Sequence, residues 1–208
     1  MKLINCHSHK APNDGCISIC NIRINNDTLH LSHLPNLYFS VGIHPWDIRE
    51  FQSSWLDKLT MLLNYQQVVA LGECGFDKNT TTTLDQQMII FENQILISET
   101  LRKPVIIHCV SYFNELIKLK KRLRPKQVWI IHGFRGKPQL AQQLIEEGFY
   151  ISFGEKFNPE SVMITPPDRI LTESDESELN FYELTNEIAR IKQCKPDDFN
   201  AASVIFGI

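Results

Sequence analysis

Missing from this chain is any apolar run approaching the ~20 residues that a membrane-spanning helix needs. Also missing is a C-x-x-C pair. The six cysteines are Cys6, Cys16, Cys20, Cys74, Cys109 and Cys194, and their spacing offers neither a cysteine zinc clamp nor a redox motif. They read as reduced, structural thiols. The opening MKLINCHSHK is polar within four residues of its start, which predicts no secretory leader and, with the thiols, a cytoplasmic setting. Positive charge is not in excess: 21 Lys and Arg against 24 Asp and Glu give a net charge of −3. That excludes a protein dedicated to coating DNA, whose domain would carry a pI above about 9, but not an enzyme that binds nucleic acid briefly. There is no G-x-S-x-G elbow, Walker loop or G-x-G-x-x-G loop. Without linker, repeat or low-complexity segment, 208 residues fit one domain over 1–208.

What is present is a series of short runs rich in Val, Ile and Phe, the pattern of strands buried on both faces. They occupy 2–6, 17–23, 37–42, 67–72, 104–108, 128–132, 149–153 and 169–172. The second is the weakest, because Asn21 and Arg23 interrupt it. Helical spacing of apolar residues predicts helices over 51–64, 84–101, 112–123, 138–147 and about 179–193, with a short one after Pro196. Alternation of this kind argues for an α/β fold with a parallel sheet. Eight strands predict a compact (β/α)8 TIM-like barrel, at the lower limit of about 200 residues for that fold. The gaps 7–16, 24–36 and 154–168 lack a helical period, so helices are expected to be missing after strands 1, 2 and 7. An open doubly wound sheet is the alternative.

The histidines are placed unevenly. His7, His44, His108 and His132 each close a strand run or follow it within two residues, and His9 lies two beyond His7. His30 and His33 fall in a loop-like stretch. Glu73 follows the fourth run, and Glu173 and Asp175 follow the eighth. Side chains at C-terminal strand ends of a parallel barrel converge on one face. His7 and His9, at i and i+2 on an extended strand end, point to the same side. Four imidazoles (His7, His9, His108, His132) and two carboxylates (Glu73, Asp175) suffice for two divalent cations. Zn²⁺ accepts nitrogen with one carboxylate, whereas Mn²⁺ and Mg²⁺ prefer more oxygen. Glu73, on a strand between the other ligand groups, is the candidate bridge. Cys74 and Cys109 neighbour these positions, but adjacent strand residues point to opposite faces. Each residue alone also has a plainer reading: a hydrogen-bonded surface histidine, a turn at His44-Pro45, or an acidic run at Glu173–Glu178 complementing a helix start.

In order along the chain, several segments resemble the TatD family of metal-dependent hydrolases. They are His7-Ser8-His9, Gly42-Ile43-His44-Pro45, Gly72-Glu73-Cys74-Gly75-Phe76-Asp77, Gln94 through Pro104-Val105-Ile106-Ile107-His108, His132-Gly133-Phe134-Arg135-Gly136, Thr172-Glu173-Ser174-Asp175, and Asn200 with Phe206-Gly207. The resemblance implies one cation on His7, His9, Glu73 and Asp175 and a second on Glu73, His108 and His132. It implies hydrolysis of phosphodiesters, as in a 3′-to-5′ deoxyribonuclease acting on single-stranded DNA with two Zn, Mn or Mg ions. In this role Glu73 and Asp175 are the catalytic carboxylates, Asp175 also steering the proton of the nucleophile. His44 and Arg135 are expected to contact the substrate phosphate. The chain departs from the family in having Asn5 for Asp, Lys78 for an aromatic, Arg135 for a small Ser, and little loop after Asp175.

Two other functions fit a barrel with such a mouth: metal-dependent hydrolysis of a small ester or amide, and a non-catalytic binding module. The cluster Lys118, Lys120, Lys121, Arg122, Arg124 and Lys126 can be read as a phosphate track. Its position before the sixth strand instead predicts a solvated helix end, on the face opposite the site.

Overall fold

The computed structural model describes residues 2–10, 15–25 and 34–208. The strands are β1 (Ile4–Ser8), β2 (Ile17–Arg23), β3 (Leu37–Gly42), β4 (Val68–Asp77), β5 (Val105–Val110), β6 (Trp129–Ile131), β7 (Tyr150–Phe153) and β8 (Ile170–Thr172). All pair in parallel with their sequence neighbours and form a closed barrel. The pairing of Asn5 with Thr172 and of Ser8 with Asp175 joins β1 to β8, which rules out the open sheet.

Among the described residues seven α-helices accompany the strands: α1 (Ser54–Leu63), α2 (Leu84–Leu101), α3 (Phe113–Leu123), α4 (Pro138–Glu146), α5 (Pro159–Ile164), α6 (Phe181–Lys192) and α7 (Ala201–Phe206). Helix α2 starts on a capping box in which Thr83 Oγ1 accepts from the Gln86 amide while Gln86 Oε1 accepts from the Thr83 amide. After β1 and β2 no helix occurs among the described residues; 11–14 and 26–33, with His30 and His33, lie outside them. The expectation of a missing helix after β7 is corrected by α5. Six residues are too short for an apolar period, and α5 is set instead by its ends. Asn158 Oδ1 accepts from the Glu160 and Ser161 amides, and Pro159 occupies the first turn.

Packing divides into two clusters. In the larger one, helix residues Leu59, Leu63, Phe91, Leu116, Leu144 and Ile188 meet outward-facing strand residues. All six are fully buried, each contributing roughly 1.5–3 kcal/mol of apolar burial. The smaller cluster takes Ile4, Cys6, Ile19, Ile106, Ile130 and Leu171 from the strands and Ala201, Ala202 and Phe206 from α7. Helix α7 packs on β1, β8 and the turn leading into β8, so it closes the barrel at the N-terminal strand ends. The opposite end is left for the site.

The basic cluster lies at the far end of α3. Lys120 Nζ donates to the Glu147 and Gly148 carbonyls at 2.9 and 3.3 Å. Lys121 pairs with Glu147 at 2.6 Å and Arg122 with Glu92 at 2.5 Å. The solvated helix-end reading therefore holds. No helix among the described residues is long and apolar enough to cross a membrane.

Candidate metal centre at the barrel mouth

Each candidate residue reaches the C-terminal mouth by a local device. In β1 the pairing register shifts between Asn5 and Ser8. Cys6 belongs to the inner cluster, and after the irregularity His7 and His9 also reach the mouth. The Asp175 amide donates to the His7 carbonyl (3.0 Å) and the His9 amide to the Asp175 carbonyl (3.2 Å). These two bonds bring the Asp175 side chain against both imidazoles. Asp175 has φ 53°, a left-handed conformation that Asp tolerates better than most side chains. Asn5 accepts from the Ser174 amide (3.0 Å) and donates to Ser174 Oγ (2.7 Å). The departure from Asp at this position thus serves as a tie between β1 and the β8 end.

Along β4, alternation places Glu73, Gly75 and Asp77 on the mouth side and Cys74 and Phe76 in the outer core. Close neighbours require glycine here. A Cβ on Gly75, at φ 136°, would lie 2.2 Å from the His108 carbonyl oxygen. The Glu73 amide donates to Asn21 Oδ1 at 2.7 Å.

Glu73 is the centre of the arrangement and is 4% exposed. Its Oε1 lies 2.6 Å from both His108 Nδ1 and His132 Nε2, and 3.4 Å from His44 Nε2. Its Oε2 lies 3.7 Å from His7 Nε2 and 4.0 Å from His9 Nε2. Asp175 Oδ1 is 3.7 Å from His7 Nε2 and 3.4 Å from His9 Nε2. All six predicted metal-ligand residues therefore converge. His44 is buried beside Glu73 in the same cluster. Arg135 lines the mouth and an adjoining pocket of about 260 Å³ shared with Lys156.

Two carboxylates join that were not among the predicted site residues, although Glu173 was noted at the end of the eighth run. Asp77 Oδ2 lies 3.0 Å from His108 Nε2. Glu173 is fully buried; its Oε1 accepts from the Gly133 amide (2.7 Å) and faces His132 Nδ1 (3.2 Å). Each of these imidazoles therefore turns one nitrogen to Glu73 and is oriented through the other by a second carboxylate. The signal was available: Asp77 is four residues past Glu73, and Glu173 two before Asp175, so period two puts each on the site's side.

Helix α2 supplies a further support. Gln94 accepts from the Ile43 amide (2.8 Å) and donates to the Ile43 carbonyl (3.1 Å). One heptad earlier, Gln87 does the same for Asp77, at 2.8 and 3.0 Å. Two buried amides thus hold the backbone beside His44 and at Asp77. Gln94→Met keeps the side chain's length but strands both groups of Ile43, at about 1–3 kcal/mol for each. We expect a loss of roughly 2–6 kcal/mol, read from the urea midpoint at unchanged slope.

The charges respond to this crowding. Burial favours the neutral form of Glu73, but the imidazoles of His132, His108 and His44 outweigh it and hold the carboxyl well below its usual range. Burial lowers His132 less than Glu73 and Glu173 raise it, so it titrates well above an ordinary histidine. The Asp175 hydrogen bond raises His9. Burial, and then the nearby His132, push His7 down to about 4.

His7 tests whether a cation fits. It is fully buried, and neither ring nitrogen has a hydrogen-bond partner among the described residues. An orphaned buried polar group costs about 1–3 kcal/mol. Donor atoms of His7, His132 and Asp175, of His7, His9 and Glu73, and of His44, Glu73 and His108 each lie within 4.8 Å of one another. Imidazole and carboxylate together suit a divalent first-row metal, and binding one would satisfy one of the two His7 ring nitrogens.

A parallel barrel with histidines and carboxylates gathered at its mouth is the arrangement on which metal-dependent hydrolases of the TIM-barrel type are built. Residues 7–201 match the family described as TatD related DNase, and the chain belongs to that family. A Buchnera aphidicola relative, described as an uncharacterized metal-dependent hydrolase, is 34% identical over 187 residues, 79% of this chain and 70% of the relative. The 3′-5′ ssDNA/RNA exonuclease TatD of Salmonella typhimurium is 31% identical over 63% of this chain and 52% of its own length. The chain thus spans about half of that curated exonuclease. Among solved structures, the fold is similar to YJJV, a TatD homolog from Escherichia coli (TM-score 0.81, 17% identity, 99% of this chain and 98% of that one). It is also similar to a TatD family hydrolase from Entamoeba histolytica (TM-score 0.77, 16% identity, 99% and 96%).

Proposed function

We propose that this protein, as one domain over 1–208, hydrolyses phosphodiester bonds of single-stranded nucleic acid with two divalent cations. His7, His9, Glu73 and Asp175 would hold one and Glu73, His108 and His132 the other. The observation that carries the reading is the buried His7 imidazole between Glu73 and Asp175, which has no hydrogen-bond partner among the described residues. Charge supports the number two: Glu73, Asp77, Glu173 and Asp175 bring four carboxylates to one cluster, which two divalent ions balance. Bound cations would lower the pKa of a water and neutralise charge developing on the phosphate. Asp175, with a 27% exposed side chain, is the carboxylate open to the cleft and takes the proton of the attacking water. His44 and Arg135, both lining the cleft, take the non-bridging phosphate oxygens. Asp77 and Glu173 keep His108 and His132 in orientation. The six free thiols support a reducing, cytoplasmic setting.

Stripping the protein with a chelator tests this. We expect hydrolysis of an end-labelled single-stranded oligonucleotide to fall by at least about 10³-fold and to return with Mg²⁺, Mn²⁺ or Zn²⁺. Undiminished cleavage after metal removal would overturn the reading. Metal-dependent turnover of a small ester with no cleavage of DNA would replace the substrate class.

A further inference from the structure

The three tryptophans differ sharply in setting. Trp55 and Trp129 are 3% and 0% exposed, whereas Trp46 is 58% exposed and lines the cleft above the cluster. Trp46 is nevertheless held firmly. Its Nε1 donates to Asp77 Oδ2 (2.8 Å) and its amide to His44 Nδ1 (3.1 Å). The Arg23 guanidinium lies 5.7 Å from the ring centroid. Arg23 is itself fixed by two hydrogen bonds to Asp47, at 2.8 and 2.6 Å. With its charge paired, Arg23 backs the indole rather than serving as a free phosphate ligand. The Nε1 edge points to the acid that orients His108, and the Trp46 and His108 centroids are 6.4 Å apart.

We infer that Trp46, backed by Arg23, is a stacking platform for a nucleobase adjoining the phosphate to be cut. This rests on the phosphodiesterase reading above and adds to it the group of the substrate that is recognised. A rigid, half-solvated indole at the mouth of a cleft of about 580 Å³ gives a base a flat apolar surface at little ordering cost. Every base has a π-face, so such binding tolerates any sequence. With the Trp46 and His108 rings 6.4 Å apart, a phosphate held at the Glu73–His108 end would lie about one nucleotide's span from the indole.

The test compares an ordinary oligonucleotide with one of equal length and charge carrying abasic units at its last three positions. For the wild type we expect kcat/KM to favour the base-bearing chain by about 5- to 100-fold. In Trp46→Ala that ratio should collapse towards one, whatever happens to the absolute rate, and Trp46→Phe should keep most of it. A second readout needs no turnover. A phosphorothioate oligothymidylate should quench the intrinsic fluorescence of the wild type but not of Trp46→Phe, whose remaining tryptophans are buried. An unchanged ratio in Trp46→Ala, or equal cleavage of both chains by the wild type, would overturn the platform and leave the phosphodiesterase reading standing. Cleavage of neither chain would remove both.

Discussion

Glu73→Ala will abolish metal-dependent hydrolysis, with kcat/KM falling by at least about 10³-fold. The size of the effect follows from how many groups this one carboxylate serves. Three imidazoles lie within 3.4 Å of its Oε1, and two more face its Oε2. Removing it leaves His108 and His132, whose ring nitrogens are 3.4 Å apart, with no anion between them. The same change removes a ligand from both proposed cation positions. Metal content should therefore drop with activity, as measured by elemental analysis of the purified variant. Glu73→Gln separates charge from volume: its fold should survive, by circular dichroism, while activity is lost. Full turnover in either variant would remove Glu73 from the site.

Gly75→Ala should produce the largest effect on stability. The new methyl would sit 2.2 Å from the His108 carbonyl oxygen, an overlap with backbone that no rotamer change relieves. The position also has φ 136°, which L side chains rarely adopt. Backbone strain and overpacking contribute about 1–3 kcal/mol each, so a loss of roughly 3–5 kcal/mol is expected. For a chain of this size that corresponds to a fall in melting temperature of about 6–20 °C. If the variant folds, its β4–β5 contact must widen, which separates Glu73 from His108 and lowers activity too. A melting temperature within about 2 °C of wild type would show that the close approach is not required.

How much of this was legible in advance depended on whether a feature is periodic. The strand run 37–42 coincides with β3 and the helical run 84–101 with α2, because each spans several periods of its own repeat, two residues in a strand and about 3.6 in a helix. Helix α5 was not legible, since a six-residue helix is decided by Asn158 and Pro159 rather than by a repeat. The weakest strand of the sequence, 17–23, was weak because of two residues that belong to the site. Asn21 accepts from the Glu73 amide, and Arg23 backs Trp46. Polar groups inside a strand pattern contradict local propensity, and such conflicts are expected where function is built. Glu173 gave a misleading signal in the opposite direction. It sits in an acidic run that resembles a solvated helix start, yet it is fully buried against His132.

Taken alone, the order of residue types determined the eight-stranded alternation and the placing of histidines and acids at strand ends, because both are local and repeat along one chain direction. Which nitrogen faces which carboxylate, that Asp77 and Glu173 stand behind His108 and His132, that Asn5 ties β1 to the β8 end, and that Trp46 is held open over the cleft were decided only by how the strands register against one another around the barrel. These contacts join residues up to 169 positions apart. Their distances come from strand register and from the β1 and β4 irregularities, neither of which has a signature in a single segment.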